Sequence, residues 1–196
     1  MARKKSEPRA LSRREFLTNA GAVLAFGAVA GLAACTPKVR EELIGVPIAD
    51  LIVHNAEVCA GCGVCGLMCS LYHEGESGAS AARSSLARDP FTATYTYNGC
   101  QQCKSPNCYF ACPLKDVSLC VDTATGVKYV NTDKCQGCGK CTQACPFTPP
   151  RANLHPVKKY SLKCDMCRDR EEGPICVEYC TMHALSVMRG SERGQA

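Results

Sequence analysis

"KCQGCGKCTQACPF", residues 134–147, sets four cysteines within the positions 135 to 145, with two, two and three residues between them and a proline after the last. Thiols this close in one short loop rarely meet the Cβ separation and orientation that a disulfide needs. They suit a metal instead. Structural zinc takes its thiolates as C-x2-C pairs from two separate knuckles, so a third cysteine two residues further on would be surplus. C-x2-C-x2-C-x3-C-P is the spacing with which three thiolates wrap three irons of a cubane while the fourth reaches a neighbouring cluster. One such run therefore implies a second.

The chain holds three more. Cys59, Cys62, Cys65 and Cys69 repeat the 2-2-3 spacing; Cys100, Cys103, Cys108 and Cys112 follow 2-4-3 with Pro113; Cys164, Cys167, Cys176 and Cys180 follow 2-8-3. With Cys135, Cys138, Cys141 and Cys145 these make sixteen cysteines in four sets, each ending C-x3-C. A repeat of this kind organises the whole chain, and it selects four 4Fe-4S clusters over zinc or disulfides. C-x3-C-x2-C, the usual radical-SAM spacing, is absent.

Composition agrees. Of 196 residues 18 are cysteine, about 9 %, against no tryptophan and 6 % aromatics, so there is little apolar mass for a core. Small domains in that position rely on disulfides or metals. In a short secreted chain the same count would by default read as a disulfide framework, and here spacing decides. The formal charge of +5 misleads, because residues 1–34 carry six Lys or Arg and two Glu, leaving 17 basic and 16 acidic residues in the remainder. Four sites of charge 2− would take that remainder to about −7, which argues against a nucleic-acid partner.

The 22 residues 113–134 between runs two and three carry "VSLCV" and "VKYV" around "DTATG", a hairpin with Gly126 in its turn. That is the layout of a complete two-cluster ferredoxin, so these runs are expected to exchange fourth ligands. Cys145 then joins Cys100, Cys103 and Cys108, and Cys112 joins Cys135, Cys138 and Cys141. The outer runs are left to do likewise: Cys180 with Cys59, Cys62 and Cys65, and Cys69 with Cys164, Cys167 and Cys176. Each C-x3-C puts its thiols about one helical turn apart. Proline after Cys112 and Cys145 is expected to end a short helix, whereas Ser70 and Thr181 in the outer runs predict helices that continue. Glycines 61, 63, 137 and 139 let the backbone approach inorganic sulfide and aim amide hydrogens at it.

The first 35 residues read as an address. A basic start leads to Ser12-Arg13-Arg14-Glu15-Phe16-Leu17 and then to a Gly/Ala-rich apolar stretch from Ala20 to Ala34, the pattern of a bacterial twin-arginine signal. Its 15 residues are short for a spanning helix of about 20, though an uncleaved anchor is the alternative. Leu32-Ala33-Ala34-Cys35 resembles a lipobox, with Cys35 the candidate for lipidation; ordinary cleavage near Ala30 or Ala34 is the other reading. The expected location is the periplasm or the outer face of the cytoplasmic membrane.

The sixteen cysteines, with "CQQCKSPNCYFACP", "DKCQGCGKCTQACPF" and "KCDMC", resemble the four-cluster iron-sulfur subunits of the dimethyl-sulfoxide-reductase superfamily, over residues 52–188. "CGLMCSLYHEG" is also similar to the corresponding subunits of tungsten-dependent aldehyde oxidoreductases. The resemblance implies an α+β fold of two ferredoxin-like dicluster modules, one nested in the other, with short helices, small hairpins and long loops. With the signal at 1–34 and a tether at 35–51, the expected division is an outer module at 52–99 and 146–188, an inner module at 100–145, and a tail at 189–196. It also implies single-electron transfer between a molybdopterin or tungstopterin catalytic subunit and a membrane quinone or cytochrome subunit or a soluble carrier. A free-standing periplasmic polyferredoxin is the alternative. The chain departs from the pattern in a cysteine-free insert at 70–99, and no apolar segment after residue 35 is long enough to span a membrane.

No paired acid and base and no nucleophile stand out, so neither a catalytic residue nor a small-molecule substrate of its own is expected. Cys120 lies in the first strand of the 117–130 hairpin and reads as a buried hydrophobe. His54, His73, His155 and His183 share no spacing and read as surface or loop residues, with a place beside a cluster as the alternative. Lys104, Lys134, Lys140 and Lys163 stand next to ligands, where they either tune potentials or are merely solvated. "EGESGASAARSSLARDP", residues 74–90, has the composition of a flexible loop.

Overall fold

Thiol-rich loops leave little chain for regular structure, and the elements between them are short. The computed structural model describes residue 43 and residues 45–194. The expected signal at 1–34, Cys35 and most of the tether lie outside those residues. Four helices are described: α1 (Val64–Glu74), α2 (Asn107–Phe110), α3 (Lys140–Gln143) and α4 (Ile175–Glu178). Eight strands accompany them: β1 (Leu51–His54), β2 (Ser85–Arg88), β3 (Tyr95–Asn98), β4 (Leu119–Val121), β5 (Lys128–Val130), β6 (Ala152–Leu154), β7 (Ser161–Lys163) and β8 (Leu185–Met188).

The strands form antiparallel pairs: β1 with β8, β2 with β3, β4 with β5, and β6 with β7. The β4–β5 pair falls inside the predicted hairpin, with Leu119 opposite Val130 and Cys120 opposite Tyr129. β1 and β8 join residues far apart in the chain, Leu51 facing Met188 and His54 facing Leu185. Their ends are laced together: Arg189 pairs with Asp50 at 2.9 Å, Gly190 N donates to Asp50 Oδ1 at 2.9 Å, and Arg193 donates to the Ala49 carbonyl at 2.8 Å.

Among the helices, α1 packs on α4, and α2 on α3. α1 continues past Cys69 as expected, because Gly75 at φ 74° caps it by donating to the Leu71 carbonyl. α4 does not continue. It stops before Cys180 although Thr181 replaces proline, because Cys180 N turns back to the Val177 carbonyl and His183 takes φ 50° to swing the chain into β8. The loop expected at 74–90 is also partly ordered. Ser85–Arg88 pairs with Tyr95–Asn98, and Leu86 faces the buried Tyr97. Small residues that look like a linker thus become a strand once a core tyrosine lies opposite.

The core is built largely of thiols. One cluster of buried residues joins Ile52, Tyr97, Cys100, Cys164, Met166, Cys176 and Leu185; a second joins Tyr109, Leu119, Val130, Cys141 and Ala152. No helix among the described residues is long and apolar enough to cross a membrane.

Candidate metal centres

All four runs open with the same backbone device. In each C-x2-C the residue before the second cysteine takes a left-handed conformation: Gly61 at φ 67°, Gln102 at 43°, Gly137 at 63° and Met166 at 61°. This turn brings the two thiols round to one side. At Gly61 a side chain would also displace a neighbour, because a Cβ there would stand 2.2 Å from the Tyr95 ring. Gln102 and Met166 adopt the strained region, held by burial at 1 % and 7 % exposure.

The turns and helices gather the cysteines into sets. One small cavity is lined by Cys100, Cys103, Cys108 and Cys145. Another is lined by Cys112, Cys135, Cys138 and Cys141. A third is lined by Cys59, Cys62, Cys65 and Cys180. Cys69, Cys164, Cys167 and Cys176 are all buried, and Cys176 lies within electrostatic reach of both Cys69 and Cys167. Cys120 stays apart, half-buried against Tyr129. Cys62 and Cys138, the second cysteines of the two 2-2-3 runs, are the exposed members of these sets.

Backbone amides are aimed at the sulfurs. Arg83 N donates to Cys69 Sγ at 3.4 Å, Gln102 N to Cys100 at 3.5 Å, Ser161 N to Cys135 at 3.4 Å, Arg151 N to Cys145 at 3.2 Å, and Ala184 N to Cys180 at 3.2 Å. Such bonds stabilise anionic sulfur. Burial works the other way, pushing Cys69 and Cys108 up to about 11 and Cys176 to about 12. Left to themselves these thiols would stay protonated at neutral pH; a cationic core bound among them reverses that balance. The donor sets, their amides and their cavities fit 4Fe-4S clusters.

Surroundings differ from site to site. The cavity of Cys100 is also lined by Lys128, Arg151 and Lys163, whereas that of Cys135 has no charged residue in its wall, only groups such as Leu119, Val130 and Ser161. Cys141 Sγ lies 3.2 Å from Ser161 Oγ. The third cavity adds His54, whose pKa burial lowers. Beside Cys167 stands a buried network: His73 Nε2 is 3.6 Å from its sulfur and 3.5 Å from Asp165, and Arg83 pairs with Asp165 at 2.6 Å. The donor atoms of His73, Asp165 and Cys167 lie within 4.8 Å of one another, but Arg83 already engages the carboxylate. Tyr97 OH reaches Cys176 at 3.6 Å and its ring lines the third cavity.

Several of these residues escaped sequence reasoning. Two of the four histidines, His54 and His73, abut thiol sets instead of lying on loops in solvent. Of the four lysines flanking ligands, Lys104, Lys134 and Lys140 are exposed and Lys163 is 2 % exposed. Arg151, Lys128 and Arg83 belong to no motif, and their distance from the ligands in sequence hides them; Gln102 lies inside run two, where cysteine spacing says nothing of its side chain.

Residues 91–189 match the family model described as a 4Fe-4S dicluster domain, a span that includes runs two, three and four. The chain is 34 % identical over 185 residues to the protein NrfC of Escherichia coli (strain K12), covering 89 % of this chain and 78 % of that protein. It is 36 % identical over 146 residues to the polyferredoxin-like subunit of an aliphatic sulfonate oxidoreductase from Pyrococcus furiosus, covering 72 % of this chain and 79 % of that subunit. Among solved structures, the active-site complex BamBC of benzoyl coenzyme A reductase contains a chain similar at TM-score 0.43 and 24 % identity, over 71 % of this chain and 79 % of that one.

Proposed function

Because the chain belongs to the 4Fe-4S dicluster domain family, we propose that it is an electron-transfer subunit holding four 4Fe-4S clusters for a separate catalytic subunit. The carrying observation is the gathering of thiols from distant runs around single cavities, Cys180 with Cys59, Cys62 and Cys65 foremost. When bound, such clusters supply reversible one-electron storage. The chain's own residues fix their order. Helices of the outer runs pack on each other, as do helices of the inner runs, and this supports a nested pair of dicluster modules with the ligand exchange expected from spacing. Cys69, Cys164, Cys167 and Cys176 complete the fourth site in this reading.

The catalytic partner is of the molybdopterin or tungstopterin type, and the other neighbour is a membrane quinone or cytochrome subunit or a soluble carrier. The likeness to a subunit of an oxidoreductase and the resemblance of the sixteen-cysteine pattern to the dimethyl-sulfoxide-reductase superfamily favour this over a free shuttle. The twin-arginine reading of residues 1–34 places the complex on the outer side of the cytoplasmic membrane, with Cys35 as the candidate lipid anchor.

Two measurements test it. Affinity purification of the native protein under anaerobic conditions is expected to bring down a larger subunit together with molybdenum or tungsten; elution of the iron-loaded chain alone would favour the shuttle. Cys180→Ser is expected to alter, by low-temperature EPR, the cluster that Cys59→Ser also alters. If Cys180→Ser instead altered the cluster touched by Cys176→Ser, each run would own its cubane.

A further inference from the structure

Two strands pass beneath both inner cavities and treat them differently. On β5, Lys128 lines the cavity of Cys100 while Val130, two residues on, lines that of Cys135. On β7 the same alternation places Lys163 at the first and Ser161 at the second. Side chains two apart share a face of a strand, so one register delivers cations to one site and neutral groups to the other.

Among the described residues no acid answers these cations. Lys163 is 2 % exposed and Lys128 3 %. Lys163 Nζ donates to the Lys128 carbonyl at 2.5 Å and the Cys164 carbonyl at 3.3 Å, within electrostatic reach of the Cys100 and Cys108 sulfurs. No carboxylate pairs with it among the described residues. Arg151 has Nε and Nη1 buried without a partner, in the wall of the same cavity. Buried cations need an opposing charge, and the anionic sulfurs are the groups placed to give it. A site of four thiolates around a 2+ core carries 2−, and uptake of one electron takes it to 3− with no proton required. Adjacent positive charge favours that step.

Resting on the cluster assignment above, we infer that Lys163, Arg151 and Lys128 set the potential of the site of Cys100, Cys103, Cys108 and Cys145 above that of the site of Cys112, Cys135, Cys138 and Cys141. The inner module then has a built-in slope, and an electron entering it settles at the cation-lined site.

The experiment is an anaerobic potentiometric titration of the full, loaded protein, followed by low-temperature EPR with iron counted on the same samples. Sites are assigned by the signals lost in Cys103→Ala and Cys138→Ala. In the unaltered protein the Cys103-dependent signal is expected to appear at the higher potential. Lys163→Met is expected to lower that signal's potential by at least a tenfold change in the reduction equilibrium, 59 mV for one electron, and to move the Cys138-dependent signal less. Lys163→Arg is expected to restore most of the shift. Because the ammonium is buried, the difference is expected to persist at 1 M salt, where exposed charges are screened within about 3 Å. A full iron count with the Cys103-dependent signal at or below the other in the unaltered protein overturns the inference, whatever the variants do. So does a fully loaded Lys163→Met with unchanged potentials; Lys163→Gln carries the same readout if the methionine variant does not load. A deficient iron count in the unaltered protein would instead break the cluster assignment.

Discussion

The two inner cavities are each lined by four cysteines, yet one wall carries Lys128, Arg151 and Lys163 and the other no charge at all. Coordination and electrostatics are therefore specified by different parts of the chain. Cysteine spacing and one left-handed turn set where the sulfurs go; strands β5 and β7, which contribute no ligand, set what surrounds them. A repeat can thus copy a metal site while the connecting strands make each copy distinct.

The largest test of this contrast removes a ligand from each side. Cys108→Ala and Cys141→Ala are each expected to cost one cluster, roughly four irons, but the first also leaves Lys163 and Arg151 buried without their counter-charge. Stranding a buried charge costs about 3–5 kcal/mol, so anaerobic melting should show Cys108→Ala well below Cys141→Ala. Equal melting temperatures would mean that the cations are not balanced by the bound cluster.

Gln102 offers a somewhat smaller effect. At 1 % exposure it accepts from Lys128 N at 2.8 Å and donates to the Cys164 carbonyl at 2.9 Å, tying the cation-bearing strand to run four. Gln102→Leu leaves the buried Lys128 amide unsatisfied and takes one of two donors from the Cys164 carbonyl, and is expected to destabilise by about 1–3 kcal/mol with iron content retained. A melt unchanged from the parent would show that the bridge is dispensable.

On the neutral side, Ser161→Ala removes the hydroxyl beside Cys141. Its expected consequence in EPR titration is a lowered potential at that site, by less than the tenfold change expected of Lys163→Met. The smallest effect belongs to Lys104, exposed although it follows Cys103: Lys104→Met should leave every potential within error at about 0.15 M salt, where exposed charges are screened. A large shift there would make position in sequence, not burial, the controlling variable.

What the sequence made legible follows the same division. The four runs, the β4–β5 hairpin and the separate standing of Cys120 can all be read from spacing and alternation. The α4 boundary could not, because a left-handed His183 stops the helix where no proline does. Nor could the β2–β3 hairpin, which depends on Tyr97 reaching a core made of distant thiols. Lys163 sits in plain view beside Cys164, but three neighbouring lysines look alike in sequence. Only the pairing of β6 with β7 and the packing of β7 on β5 bury it. Arg151, His54 and His73 gave no local signal, since their roles arise from contacts across the fold.

Metal content decides between four clusters and any other use of the sixteen thiols. Anaerobic purification of the mature protein, with iron, acid-labile sulfide and zinc measured against protein, should give about sixteen irons and sixteen sulfides per chain and a brown colour. Stoichiometric zinc in a colourless sample, or iron for only half of the thiol sets, would contradict it.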